Sequence, residues 1–81
     1  MKKIFISKTV HNTVSLYIAH DEITNLDSTL WSMIIVAMES WAVWKTNIGD
    51  SHTGWEFSKE FTPEMIQSAF KKVSGITAEI I

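Results

Sequence analysis

The sequence predicts an α+β fold: a single small domain over residues 1–81, in which two helices pack on a mostly antiparallel sheet made of an N-terminal hairpin, an aromatic strand and a C-terminal strand. Three observations predict it. Residues 3–19 alternate apolar and polar side chains in two arms about a turn, residues 30–44 carry apolar side chains at helical spacing, and residues 62–75 hold helix start and stop signals.

In the hairpin, Val14, Leu16 and Ile18 alternate with Ser15, Tyr17 and Ala19, the period of a strand with one buried face. The first arm sets Ile4 and Ile6 against Phe5, and His11, Asn12 and Thr13 supply the turn. With the isoleucine and valine face on the core, Phe5 and Tyr17 fall on the reverse side and need cover of their own.

Residues 20–28 are polar apart from Ile23 and Leu26 and read as a loop with room for a helical turn. Asp27 or Ser28 caps the next helix, since either side-chain oxygen can accept from a free amide of the first turn. There Leu30, Ile34, Ala37, Trp41 and Trp44 fall at spacings of three and four, with a second stripe of Trp31, Ile35, Met38 and Ala42 beside them. Two apolar stripes predict an embedded helix. Its end has two readings. The helix runs on to Trp44, the preferred one, or residues 41–46 form a strand whose return arm is residues 55–61.

Residues 47–54 hold two of the three glycines with Asp50, Ser51, His52 and Thr53, and read as a loop. Trp55, Phe57 and, one position out of phase, Phe61 suggest the aromatic strand. For the last helix, Thr62 is the cap, Pro63 the first helical position, Glu64 a first-turn acid, Lys71 and Lys72 last-turn bases, and Gly75 lies beyond the end. Met65, Ile66, Ala69, Phe70 and Val73 form its buried stripe. Ile76, Ala78 and Ile80 then alternate with Thr77 and Glu79 as a closing strand.

A chain of 81 residues has room for one core, and domains of this size bury only about 60–65% of their unfolded surface. There is no cysteine, which removes disulfides, thiolate zinc sites and thiol chemistry. The net charge is −2, all seven basic residues are lysine, and arginine is absent beside eleven isoleucines. Without a guanidinium fork or a basic stripe the balance counts against nucleic acid, although a low-G+C coding bias accounts for part of that composition. The opening Met1-Lys2-Lys3-Ile4-Phe5-Ile6 has the start of a secretory signal, but Lys8, His11 and Asn12 interrupt it. The central apolar stretch is shorter than the roughly 20 residues of a membrane span and contains Glu39. A cytoplasmic protein without a membrane segment is expected. In size and composition the chain has the look of the small proteins common on phages and mobile elements.

No catalytic, metal or cofactor motif stands out. His20, Asp21 and Glu22 are adjacent, but consecutive residues point apart, so a metal would need His11 or His52 as well. Asp50, Ser51 and His52 have the residue types of a hydrolytic triad, yet neighbours on a glycine-flanked loop read better as turn residues. Glu56 and Glu60 are the candidate paired carboxylates, with an outward strand face the simpler reading. The aromatic set rises above this background. A chain this small is not expected to enclose all four tryptophans, and indoles dominate binding hot spots.

The expected function is therefore non-enzymatic: a small protein-binding domain, such as an inhibitor, antitoxin-like factor or adaptor, that occludes or bridges a protein partner. Its expected contact residues are Trp44, Trp55 and Phe57 with Asp50 and His52. The first alternative is a homodimer built on Phe5 and Tyr17 or on Trp31 and Trp41, with or without a small apolar ligand between subunits. A second is a single-stranded nucleic-acid binder that stacks bases on aromatics, with Lys45, Lys59, Lys71 and Lys72 along the backbone. No cofactor is expected.

Overall fold

The computed structural model describes residues 3–81; Met1 and Lys2, which open the signal-like stretch, lie outside the described residues. The elements run β1 (Ile4–Lys8), β2 (Val14–Ala19), α1 (His20–Thr24), α2 (Ser28–Trp41), β3 (Trp44–Ile48), β4 (His52–Phe57), α3 (Pro63–Ser74) and β5 (Glu79–Ile80). The strands form one sheet in the order β3-β4-β2-β1-β5, antiparallel except for the parallel β1–β5 pair. The predicted α+β class and mostly antiparallel sheet are what the chain forms.

Register decides which side chains meet the helices. Ile4 lies opposite Ile18 and Ile6 opposite Leu16, while Leu16 lies opposite Trp55 and Val14 opposite Phe57. Residues directly across an antiparallel ladder share a face, so these form one apolar surface. Ile34 and Met38 of α2, Ile66 and Phe70 of α3, and Ala78 close over it, with Ile23 of α1 packed at the margin. Burial of each large side chain is worth about 1.5–3 kcal/mol, and this face holds most of the buried apolar volume. The β1–β2 turn is closed by the Thr9 amide donating to the Thr13 carbonyl at 2.8 Å, with Asn12 at φ 64°. Asparagine tolerates that left-handed conformation better than most residues.

Local signals place both long helices. Asp27 accepts from the Thr29 amide at 2.9 Å to start α2. Thr62 accepts from the Met65 amide at 3.2 Å to start α3, and Gly75 ends it at φ 76°, its amide donating to the Lys71 carbonyl at 2.8 Å. Only glycine reaches that conformation without a Cβ penalty.

Four expectations are corrected. The central helix stops at Trp41, Ala42 is extended at φ −73° and ψ 146°, and Trp44 opens a strand, so the hairpin reading of this segment holds. Pairing of the 44–48 backbone with β4 satisfies polar groups that a longer helix would leave on a bare sheet edge. The return strand runs over His52–Phe57, earlier than 55–61, because the turn needs only residues 49–51 and Gly54 belongs to the ladder. The α2 helix is half exposed instead of embedded, with Val36 at 70% and Met33 at 52%. Finally, the closing strand is two residues long, shorter than the 76–80 alternation suggests.

Candidate protein-interaction surface

The residues expected to bind a partner do not share one surface. In the β3–β4 ladder Trp44 lies opposite Glu56 and Lys45 opposite Trp55, which sends the two indoles to opposite faces of the sheet. Trp55 lies wholly buried under the helices with its ring centroid 6.0 Å from that of Trp31, and its indole N–H points at the Glu39 carboxylate, 3.5 Å away. Phe57, across from Val14, is also wholly buried, and Phe61 packs edge-on against it. His52 is buried on the other face, against the Phe5 ring. Only Trp44 and Asp50 of the five are exposed. The expectation that Trp55, Phe57 and His52 reach solvent is therefore corrected: strand parity turns Trp55 and Phe57 under the helices, and on the other face His52 is buried against the Phe5 ring.

The residues of the dimer alternative are also divided. Phe5 and Tyr17 stand together with ring centroids 5.3 Å apart on the face without helices, where Phe5 is buried and Tyr17 partly so. Trp31 and Trp41 belong to α2 on the opposite side, the first half-buried and the second exposed.

The polar candidates resolve into local structure. Ser51 Oγ lies 2.8 Å from His52 Nδ1 and 3.0 Å from the Ile48 carbonyl, closing the β3–β4 turn. Thr13 donates to the Glu56 carboxylate at 2.9 Å across the sheet, while Glu60 is exposed in the segment after β4. His20 Nε2 lies 3.3 Å from Thr53 Oγ1. Among the described residues no three histidine, aspartate or glutamate side chains gather at metal-ligand spacing. Lys3 donates to Asp21 at 2.8 Å; this hydrogen bond is the main cause that lowers the Asp21 carboxyl below its ordinary range and raises the Lys3 ammonium above its own. Both groups are solvent-exposed, so the pair contributes little.

An apolar surface does exist, on the outer side of the helix layer. Along α2 it shows Met33, Val36 and Trp41, and along α3 it shows Met65, exposed at 52%, 70%, 43% and 50%. Between the helices lie two open troughs of about 630 and 600 Å³ that meet at Lys72 and Val73. One runs past Trp41, Met65 and Ala69, the other past Met33, Val36 and Ala37. From Thr29 to Trp41 the surface extends about 18 Å at the helical rise of 1.5 Å per residue. Glu64, Ser68 and Lys72 form its polar rim on α3.

Sequence reasoning missed Met33 and Val36 and placed Met65 in a buried stripe. A signal was present, because α2 is apolar on more positions than two stripes account for. A helix packed on a single sheet and one neighbour cannot bury all of them. No helix among the described residues is long and apolar enough to cross a membrane. No protein-family model, curated protein or solved structure matches the chain.

Proposed function

We propose that this protein is a non-enzymatic binding domain that occludes or bridges a protein partner, and that the outer face of α2 and α3 is its contact surface. The observation that carries the reading is the exposure of Val36, Met33, Met65 and Trp41 around two troughs that share Lys72 and Val73. Contiguous apolar patches on small proteins mark interaction sites. Methionines adapt to an incoming surface, and the Trp41 indole at one end of it is of the kind that dominates hot spots. A groove between two helices suits an amphipathic helix laid along it. The troughs are open, whereas small-molecule sites enclose most of their ligand. An acidic chain without arginine, with one glutamate and one lysine on the rim, favours protein over nucleic acid. In this reading the protein works in the cytoplasm.

The test is capture with tagged wild type and tagged Val36→Glu in the native host, where untagged copies of the chain are also present. Val36 is mostly exposed, so its replacement should leave stability within about 0.5 kcal/mol. One stoichiometric protein retained by wild type and lost from Val36→Glu is the expected result. Equal retention by both, or no retained protein, overturns the reading.

A further inference from the structure

We infer that the partner of the α2–α3 face is a second copy of this chain, docked through an antiparallel α3–α3 contact centred on Ser68. The inference rests on the reading of that face as a protein-binding surface and names its occupant. Glu64, Ser68 and Lys72 are spaced four residues apart, all are exposed, and all line the same trough. Positions i, i+4 and i+8 form one row on a helix. A two-fold axis through the middle of that row brings Glu64 of each copy to Lys72 of the other, so the rim is complementary to itself. Small residues stand at the crossing point, Ser68 with Ala69 beside it, where two helix backbones must approach closely.

Helix-dipole compensation explains the signs of these charges, an acid in the first turn of α3 and a base in the last. It does not explain their position. The dipole is satisfied equally on any side of the helix, yet both charges stand on the apolar trough at equal distances from its small centre. The apolar content fits the same arrangement: Trp41 and Met65 line the same trough as Ser68, so each copy presents to its mate an indole and a thioether beside an open trough. A standard interface takes about 800 Å² from each partner, roughly a sixth of the 4829 Å² surface of this molecule. That is the scale of one broad side of a body measuring 32 × 25 × 20 Å.

The experiment is sedimentation equilibrium of the full chain from about 1 to 100 µM, which spans micromolar dissociation constants. Wild type should reach the dimer mass. Glu64→Lys and Lys72→Glu should each weaken association about ten-fold, because each replaces two attractive contacts by two repulsive ones. The double swap Glu64→Lys/Lys72→Glu should restore the dimer, a rescue that a merely structural role for either residue would not produce. Because the swapped charges oppose the α3 dipole, Ser68→Arg serves as a second variant. Position 68 is exposed in mid-helix, so Ser68→Arg should keep the wild-type circular dichroism spectrum and sediment as a monomer, its thermal midpoint falling only by what dissociation removes and matching wild type at concentrations where that too is monomeric. A wild-type monomer throughout the range overturns the inference, and the binding-surface reading then stands or falls on the Val36→Glu capture. A dimer indifferent to Ser68→Arg and to both swaps also overturns it, by placing the contact elsewhere.

Discussion

On the face of the sheet that carries the helices, Trp55 and Phe57 lie wholly buried beneath Ile34, Met38, Ile66 and Phe70. On the opposite face, where no helix packs among the described residues, Phe5, Tyr17 and His52 shield one another. The first face achieves burial with a second layer, and the large side chains can point straight up from the strands. Among the described residues the second achieves it within the layer, and that requires a gap in the sheet's own side-chain carpet. Gly54 makes the gap. It lies directly opposite Tyr17, and a Cβ built on it would stand 2.8 Å from the Tyr17 ring. An aromatic side chain laid over a cross-strand glycine is a known way to cover a sheet without another element. Aromatic content alone therefore does not locate a binding site, because both faces consume it.

The sharpest test compares two tryptophans on paired strands. Trp55→Ala should destabilise the protein by about 3–5 kcal/mol, since it empties the centre of the helix-covered core. A domain of this length has only about 4–12 kcal/mol in total, so the variant should be close to unfolding at 37 °C. Trp44→Ala, on the other face of the same hairpin and 59% exposed, should stay within about 0.5 kcal/mol of wild type. Chemical denaturation of both variants followed by circular dichroism measures the difference. Similar losses would mean that the two faces are not distinct in the way the register implies.

What the sequence showed and what it hid divides along the same line. Everything local was legible: Asp27 and Thr62 as caps, Pro63 and Gly75 at the ends of α3, and the alternation of β2. A cap acts through amides two or three residues away, so its cause lies within a short window. The end of α2 was not local. Residues 41–46 carry side chains at home in either a helix or a strand, and the unpaired edge of β4, supplied from ten residues further on, decides between them. Exposure of the indoles was hidden for a related reason. Whether Trp44 or Trp55 faces the helices depends on the pairing register, and a slip of one residue would exchange them. The candidate surface was legible only as a surplus. The chain carries more apolar residues than one small core holds, but which ones remain outside is settled by how α2 lies against α3.

A second test acts on the gap itself. Gly54→Ala places a methyl group 2.1 Å from the Leu16 carbonyl oxygen, well inside contact distance. That neighbour is backbone in the central strand and cannot turn aside, so the β2–β4 ladder must move. Overpacking of this kind costs about 1–3 kcal/mol, and the upper part of that range is expected because Tyr17 loses its seat as well. Loss of the Tyr17 and Phe5 ring-current shifts in the NMR spectrum should accompany the drop in stability. Gly49→Ala is the control at the turn, where a Cβ would touch nothing but φ is 49°. If Gly54→Ala proves no worse than this control, the self-covering of the bare face does not depend on the gap.

The smallest expected effect has the opposite sign. Ser15 lies on the bare face between Ser7 and Glu56, wholly buried, and its hydroxyl has no hydrogen-bond partner among the described residues. An unsatisfied buried hydroxyl costs about 1–3 kcal/mol, and the Glu56 carboxylate across the ladder accepts from Thr13 instead. On the helix-covered side the equivalent positions of β2 are Val14, Leu16 and Ile18, where the question does not arise. Ser15→Ala removes the hydroxyl while keeping the volume nearly unchanged. It should raise the stability by about 1 kcal/mol, a shift of about 4–8 °C in the thermal midpoint for a domain of this size. A fall in the midpoint would show that the hydroxyl is satisfied in solution, and that it adds to the Thr13–Glu56 hydrogen bond among the polar contacts of the bare face.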